Sequence, residues 1–221
     1  MGKRPMIPKL IHIVMLGANR PDWALANIDR FRAINPGWEV VVHEAPFEMA
    51  DEYVAAYANA FTVGEQADVM RFAVLDAWGG WYFDWDTYAI KPLDDMKSTE
   101  MLGGRLLLAP SNSGPASLAY ALASEPEIPA FQTVRALMAD IAENGAPNGT
   151  TYERALCEGL LDRCPDKVCV GLHAEFGQGG PTKHANIAYE CLQKGAWANG
   201  TGDAYFLHGW KGLSHLPPVQ T

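Results

Sequence analysis

Gly79-Gly80-Trp81-Tyr82-Phe83-Asp84-Trp85-Asp86 is the stretch on which the fold turns. Glycines are poor interior residues for helix or strand, so Gly79-Gly80 marks a break, and the aromatic run after it has strong strand preference. A strand is expected from Trp81, ending in two carboxylates. Because side chains two apart on a strand point the same way, Asp84 and Asp86 should project together, roughly 7 Å apart along the backbone. Two ionised carboxylates that close repel unless a cation intervenes, and hard oxygen donors suit magnesium or manganese better than zinc or copper. The plain alternative is a polar turn at a strand end, where Asp is common.

The residues before the break read as a helix, Val63 to Ala77, ended by Gly79, with Val69, Phe72, Ala73 and Asp76 at helical spacing. Asp68 and Arg71 then share a face. They either pair with each other, worth about 0.2–0.5 kcal/mol on an exposed face, or look towards the cation if the helix folds back on the strand.

Around this centre the elements alternate. Lys9 to Leu16 reads as a first strand ending at Gly17, Pro21 to Ala33 as a helix, Trp38 to His43 as a second strand, and Pro46 to Ala60 as a second helix. Thr87 to Ile90 and Met101 to Ala109 supply further strands. Ala116 to Ser124, Pro129 to Glu143 and Tyr152 to Leu161 read as helices, with polar loops at Ser111 to Pro115 and Asn144 to Thr150. The glycine-rich stretch His173 to His184 is either a lid or a surface loop. Asp203 to Trp210 reads as a strand ending in His208, which either ligates the cation through a neutral ring nitrogen or caps the strand end. No linker or repeat divides the chain, so a single α/β domain over residues 1–221 is expected, a mixed sheet flanked by helices.

Ala67-Asp68-Val69-Met70-Arg71-Phe72, Leu75, Gly79-Gly80-Trp81-Tyr82 and Asp84-Trp85-Asp86 resemble the signature of the glycosyltransferases with a DXD sugar-binding region. The opening Ile7-Pro8-Lys9-Leu10-Ile11-His12 and Asn35-Pro36-Gly37-Trp38-Glu39 are similar to that family too, so the likeness spans about residues 7 to 93. The family resembles in turn fungal initiating mannosyltransferases, capsular polysaccharide transferases and the large glucosylating toxins. The resemblance implies a GT-A-like (Rossmann-like) fold and retaining transfer from a UDP- or GDP-sugar with Mn2+, or Mg2+, as cofactor. By it Asp68 and Arg71 would hydrogen-bond the donor sugar, Tyr82 would line the donor pocket, Asp84 would touch ribose and metal, and Asp86 would bind the metal. It also implies His208 as a third ligand and Asn148 and Gly149 as a border of the acceptor pocket. Leu16 and Gly17, at the carboxyl end of the first strand, fall where α/β folds bind nucleotides. The toxins carry a stacking Trp there, which Met15 and Leu16 replace, so the base stays open. Near the C-terminus Leu213-Ser214-His215 stands where the family has Ser-Trp, so Trp210, Ser214 and His215 receive no role.

Composition bounds the reading. The 221 residues carry 17 basic and 26 acidic side chains, a net charge of −9, and no basic cluster beyond Lys3-Arg4, which argues against nucleic acid as a partner. No apolar run approaches the ~20 residues of a membrane span. Cys157, Cys164, Cys169 and Cys191 are few and irregularly spaced, which fits free thiols in a reducing cytoplasm better than a disulfide framework. Two alternatives remain beside a transferase: a haloacid-dehalogenase-type phosphohydrolase, which also sets two aspartates at a strand end but early in the chain, and a non-catalytic nucleotide-sugar-binding protein.

Overall fold

The computed structural model describes residues 7–18, 20–110, 118–147, 150–171, 176–178 and 206–208. Expectations at Ser111 to Pro115, Asn148, Gly149, Cys191, Trp210, Ser214 and His215, and most of His173 to His184, lie outside them. In chain order the elements are β1 (Leu10–Val14), α1 (Asp22–Ile34), β2 (Glu39–His43), α2 (Asp51–Asn59), α3 (Val63–Trp78), β3 (Gly80–Phe83) and β4 (Thr87–Ala89). There follow β5 (Leu106–Ala109), β6 (Leu118–Ser124), α4 (Ala130–Asn144), α5 (Tyr152–Arg163), β7 (Val168–Val170), β8 (Phe176–Gln178) and β9 (Phe206–His208), with 3-10 turns at Leu93–Asp95, Lys97–Met101 and Pro165–Lys167.

Six strands form one sheet in the order β2-β1-β3-β6-β5-β7, and β4, β9 and β8 form a small second sheet. β1 is parallel to both β2 and β3, whereas β6 runs antiparallel to β3 and β5. The mixed α/β sheet flanked by helices is thus the expected fold class.

Strand alternation builds two cores. Tyr82, Leu106, Leu108 and Leu122 face α2, α3, α4 and α5, while Ile11, Ile13, Trp81, Phe83, Leu107, Ala121 and Ala123 face α1 and the 3-10 segments. Since both faces are covered, the strands carry apolar residues at nearly every position instead of alternating with polar ones. α3 lies so deep that every residue from Asp68 to Asp76 is buried. Its start is fixed by a capping box: Thr62 Oγ1 accepts the Glu65 amide at 3.1 Å and Glu65 Oε2 accepts the Thr62 amide at 3.0 Å.

Its end is fixed by the two glycines. Gly79 closes the helix with its amide on Leu75 O at 2.8 Å and φ of 63°, and Gly80 opens β3 with φ of 96°. A Cβ on Gly80 would sit 2.6 Å from the Leu10 carbonyl oxygen, and one on Gly79 2.7 Å from Pro126 Cδ. The break is therefore a place where chain must approach chain and only glycine fits.

Four expectations need correction. Ala116 to Ser124 is not a helix: Leu118–Ser124 is β6, hydrogen-bonded between β3 and β5. Its Leu- and Ala-rich sequence favours a helix locally, and two-sided strand pairing overrides that preference. The second helix starts at Asp51 instead of Pro46, and the strand expected over Met101 to Ala109 begins at Leu106 after a 3-10 turn. Finally, β3 stops at Phe83: the Asp84 amide bonds Tyr120 O at 2.8 Å and the Thr87 amide bonds Asp84 O at 2.9 Å, so Asp84-Trp85-Asp86 is a tight turn and not a strand continuation.

A buried imidazole pair anchors the same break. His12, on β1, lies 3.0 Å through Nε2 from the Gly79 carbonyl oxygen and 2.9 Å through Nδ1 from His43 Nε2. A carbonyl only accepts, so His12 Nε2 donates to it and Nδ1 accepts from His43, with Trp78 stacked on both rings. Burial, and then the neighbouring His43, push the His12 pKa down to about 4, and burial lowers that of His43.

Two predictions follow from the packing of this break. Gly80→Ala should destabilise the fold by at least about 2 kcal/mol, read as a fall in urea midpoint, because strain and a backbone clash coincide. Above pH 6.5 the neutral imidazole contributes fully; as pH falls towards 4 the unfolded chain takes up a proton that folded His12 refuses, so that contribution is lost. The stability difference between wild type and His12→Gln should therefore shrink by up to about 3 kcal/mol between pH 6.5 and 4, measured by urea unfolding across pH. A pH-independent difference would remove the imidazole from the account.

Candidate functional site

The site forms where α3, the end of β3, β6 and the start of α5 meet, around Arg71. Arg71 is 5 % exposed. Nη2 lies 2.7 Å from Asp68 Oδ1 and 3.3 Å from Asp84 Oδ1, and Nη1 donates to the Ala119 carbonyl at 2.8 Å, with Glu153 Oε1 at 3.9 Å. The ring of Tyr82 lies under the guanidinium at 5.1 Å, and its hydroxyl donates to Asp84 Oδ1 at 2.6 Å. One turn of α3 thus supplies Asp68 and Arg71, and β3 supplies Tyr82 and, just past its end, Asp84. Asp68 and Arg71 pair with one another, as their spacing allows, and Arg71 also reaches Asp84 in the acidic turn.

Glu153 escapes sequence reasoning. Thr151 caps α5 by accepting the Arg154 amide, which leaves Glu153 in the helix's first turn. From there its amide donates to Asp68 Oδ2 at 3.2 Å and its Oε1 accepts the Ala119 amide at 2.8 Å. Asp68 thereby sits at the positive end of a helix. An acidic first-turn residue reads as ordinary capping in sequence, and only the fold carries it across 85 positions to Asp68.

The electrostatics follow from burial. Desolvation pushes Asp68 up to about 6 despite the opposing pull of Arg71, with the charges of Glu153 and Asp84 adding to the rise. Burial works against the charge on Arg71 as well, yet Asp84, Tyr82, Asp68 and Glu153 outweigh it and raise its pKa further. Burial likewise raises the Tyr82 phenol well above its ordinary range, so it stays a donor to Asp84. One guanidinium faces three carboxylates, and Asp86 adds a fourth acid two residues beyond Asp84. Asp86 is half-buried, and its charge, after burial, helps push the Tyr88 phenol up to about 12.

This excess of acidic oxygens fits a hard divalent cation. Among the described residues no three His, Cys, Asp or Glu side chains group closely enough to hold a metal. β9 pairs antiparallel with β4, setting His208 opposite Thr87, the residue after Asp86. Leu16 and Gly17 follow β1, whose parallel register with β3 sets Ile13 opposite Phe83 and so brings them to the same end of the sheet as the acidic turn. Gly17, with φ of 85°, has open space where a side chain would be. No aspartate pair follows the first strand, as a haloacid-dehalogenase-type phosphohydrolase would require.

Residues 21–102, well under half of the chain, match the family described as glycosyltransferase sugar-binding region containing DXD motif. The match takes in α1 through the acidic turn and leaves out the opening at Ile7 to His12. No curated protein matches the sequence. Among solved structures the chain is similar to PaToxG glycosyltransferase, at 15 % identity and TM-score 0.60 over 72 % of this chain and 70 % of that one. It is also similar to apo mouse xyloside xylosyltransferase 1, at 8 % identity and TM-score 0.56 over 94 % and 99 % of the two chains. The catalytic domain of alpha-toxin from Clostridium novyi aligns at 7 % identity and TM-score 0.52 over 64 % of this chain and 59 % of that one. At such identities the likeness speaks to fold alone, and the family match speaks to the acidic turn and what precedes it. Residues 21–102 thus resemble a glycosyltransferase sugar-binding region with a DXD motif, within a chain of GT-A-like fold.

Proposed function

We propose that the chain transfers a sugar from a UDP- or GDP-linked donor to an acceptor, with Mn2+ or Mg2+ held by Asp84, Asp86 and His208. The observation that carries this is the buried Arg71, clustered with Asp68, Asp84 and Glu153 directly behind the acidic turn. A structural ion pair needs one carboxylate; three around one guanidinium leave negative charge that a cation and a polar ligand can use.

Each side chain then has a task. Tyr82 and Arg71 fix one oxygen of Asp84, so that its carboxylate is oriented before the donor arrives. In this reading Asp68, held by Arg71 and the α5 amide, accepts hydrogen bonds from donor-sugar hydroxyls, and Arg71 donates to them. Leu16 and Gly17 border the nucleotide at the end of β1. When bound, the cation supplies Lewis-acid stabilisation of the charge that develops on the departing nucleoside diphosphate. Retention of anomeric configuration follows the families the sequence resembles. The 221 residues act as one catalytic domain, and the buried free thiols Cys157, Cys164 and Cys169 accord with a cytoplasmic setting. Among the described residues no helix is long and apolar enough to cross a membrane.

A thermal-shift panel of nucleotide sugars with and without Mn2+ tests this. A donor at a hundred times its Kd should stabilise by about 2.7 kcal/mol, roughly 5–10 °C for a chain of this size, and only with the metal present. Asp86→Asn should abolish both the shift and turnover while leaving the metal-free melting temperature within a few degrees; normal transfer by that variant would refute the metal assignment. A shift in wild type without any turnover would favour the non-catalytic binding protein.

Arg71→Lys should lower kcat/KM by at least ~100-fold with the fold retained, because one ammonium keeps the charge but cannot reproduce the fork that serves Asp68, Asp84 and the Ala119 carbonyl together. Unchanged kinetics would reduce the cluster to a structural ion pair.

A further inference from the structure

The turn that carries Asp84 and Asp86 is gripped from the opposite face of the sheet by α1, none of whose residues belongs to the site described so far. Trp23, Asn27 and Arg30 recur at four- and three-residue steps and so lie along one stripe of the helix. Each meets the turn or β4 at successive alternate positions. Trp23 stacks on Trp85, the residue between the two aspartates, with ring centroids 5.1 Å apart and planes at 21°. The Asn27 amide donates to the Trp85 carbonyl at 3.0 Å and also to the Thr87 carbonyl. Arg30 Nε donates to the Ala89 carbonyl at 2.6 Å.

Asn27 is the centre of this grip. It is 2 % exposed, both its partners are carbonyls, and among the described residues its own Oδ1 has no hydrogen-bond partner. A buried amide oriented with its oxygen unsatisfied is held by what its nitrogen does, and the nitrogen bridges the two carbonyls that flank Asp86. A helix whose only task was to cover the sheet would do so with Ala24, Ile28 and Phe31, which already fill the core on that side.

We propose that Asn27, with Trp23 and Arg30, is a positioning residue that sets the conformation of the acidic turn and so the placement of the Asp86 carboxylate for its cation. This rests on the reading of that turn as the cation and donor site. Groups that orient metal ligands without touching the ion commonly change affinity 10- to 100-fold when removed.

The test compares wild type, Asn27→Leu, Trp23→Ala and Trp23→Phe by hydrogen–deuterium exchange of peptides spanning residues 84–90 and by Mn2+ titration followed by electron paramagnetic resonance. Asn27→Leu keeps the volume and deletes both donors. Exchange should rise over 84–90 and not over β1 or β5, and Mn2+ affinity should fall about tenfold. Half-buried Trp23 can be cut to Ala with little risk to the fold: Trp23→Ala should loosen the same peptide, and Trp23→Phe, which keeps a ring over Trp85, should restore it. Should Asn27→Leu fail to fold, the Trp23 pair decides alone. Unchanged exchange over 84–90 in these variants overturns the proposal, whatever the metal does. If wild type takes up no Mn2+ yet the variants loosen the turn, the grip stands and the metal reading of the turn falls.

Discussion

A guanidinium held out of water between carboxylates from three parts of the chain is the interaction on which the rest of this molecule depends. Arg71 joins its own helix to the turn after β3, to the backbone of β6 and to the first turn of α5. Desolvating such a group costs several kcal/mol unless charges and acceptors surround it, and removing one partner of a buried pair leaves the other uncompensated. Here the surroundings overcompensate, and among the described residues Arg71 Nε has no hydrogen-bond partner. A cluster tuned only for stability would match one acid to one base and satisfy that nitrogen. The surplus of acid, and Asp68 lifted to about 6 in spite of a contact of 2.7 Å to Arg71, are the kind of perturbation that clusters at functional sites and support the function proposed for this one.

The same surplus explains why the acidic turn needs support from several directions. Asp84 is tied down by Tyr82 and Arg71 from one face of the sheet, while Asn27 and Trp23 hold the backbone around Trp85 and Asp86 from the other. Like charges two residues apart push a free turn open. Neighbours on both sides hold the turn in one conformation, and under the proposed metal role that leaves little ordering for the moment of binding.

Much of this was legible in the residues because the determinants are local. The Gly79-Gly80 break, the Asp68 and Arg71 spacing and the Asp84 and Asp86 pair are each set within one or two turns of chain, and all four charged side chains lie at one end of the sheet. What sequence missed is set at long range. Ala116 to Ser124 reads as helix from its composition, and becomes β6 only because β3 and β5 offer hydrogen bonds on both edges. Glu153 carries no local mark, since its partners Asp68 and Ala119 lie 85 and 34 positions away. The strand expected to run on through Asp86 ends at Phe83, where the Asp84 amide meets Tyr120 O of β6, 36 positions away, and the Thr87 amide turns back to Asp84 O.

The glycine break also decides which aromatic meets which helix, and that ties fold to site more tightly than any single contact. Gly80 fits under Leu10 in one register only, and His12 holds the Gly79 carbonyl in that same register. Strand side chains alternate, so this fixes Trp81 and Phe83 towards α1 and Tyr82 towards α3. A slip of one residue would turn the Tyr82 hydroxyl away from Asp84, to which it donates, and its ring away from Arg71. The spacing of one residue between Tyr82 and Asp84 therefore has a physical meaning: it sets the phenol on the guanidinium side of the sheet and the carboxylate just past the strand end, within reach of both.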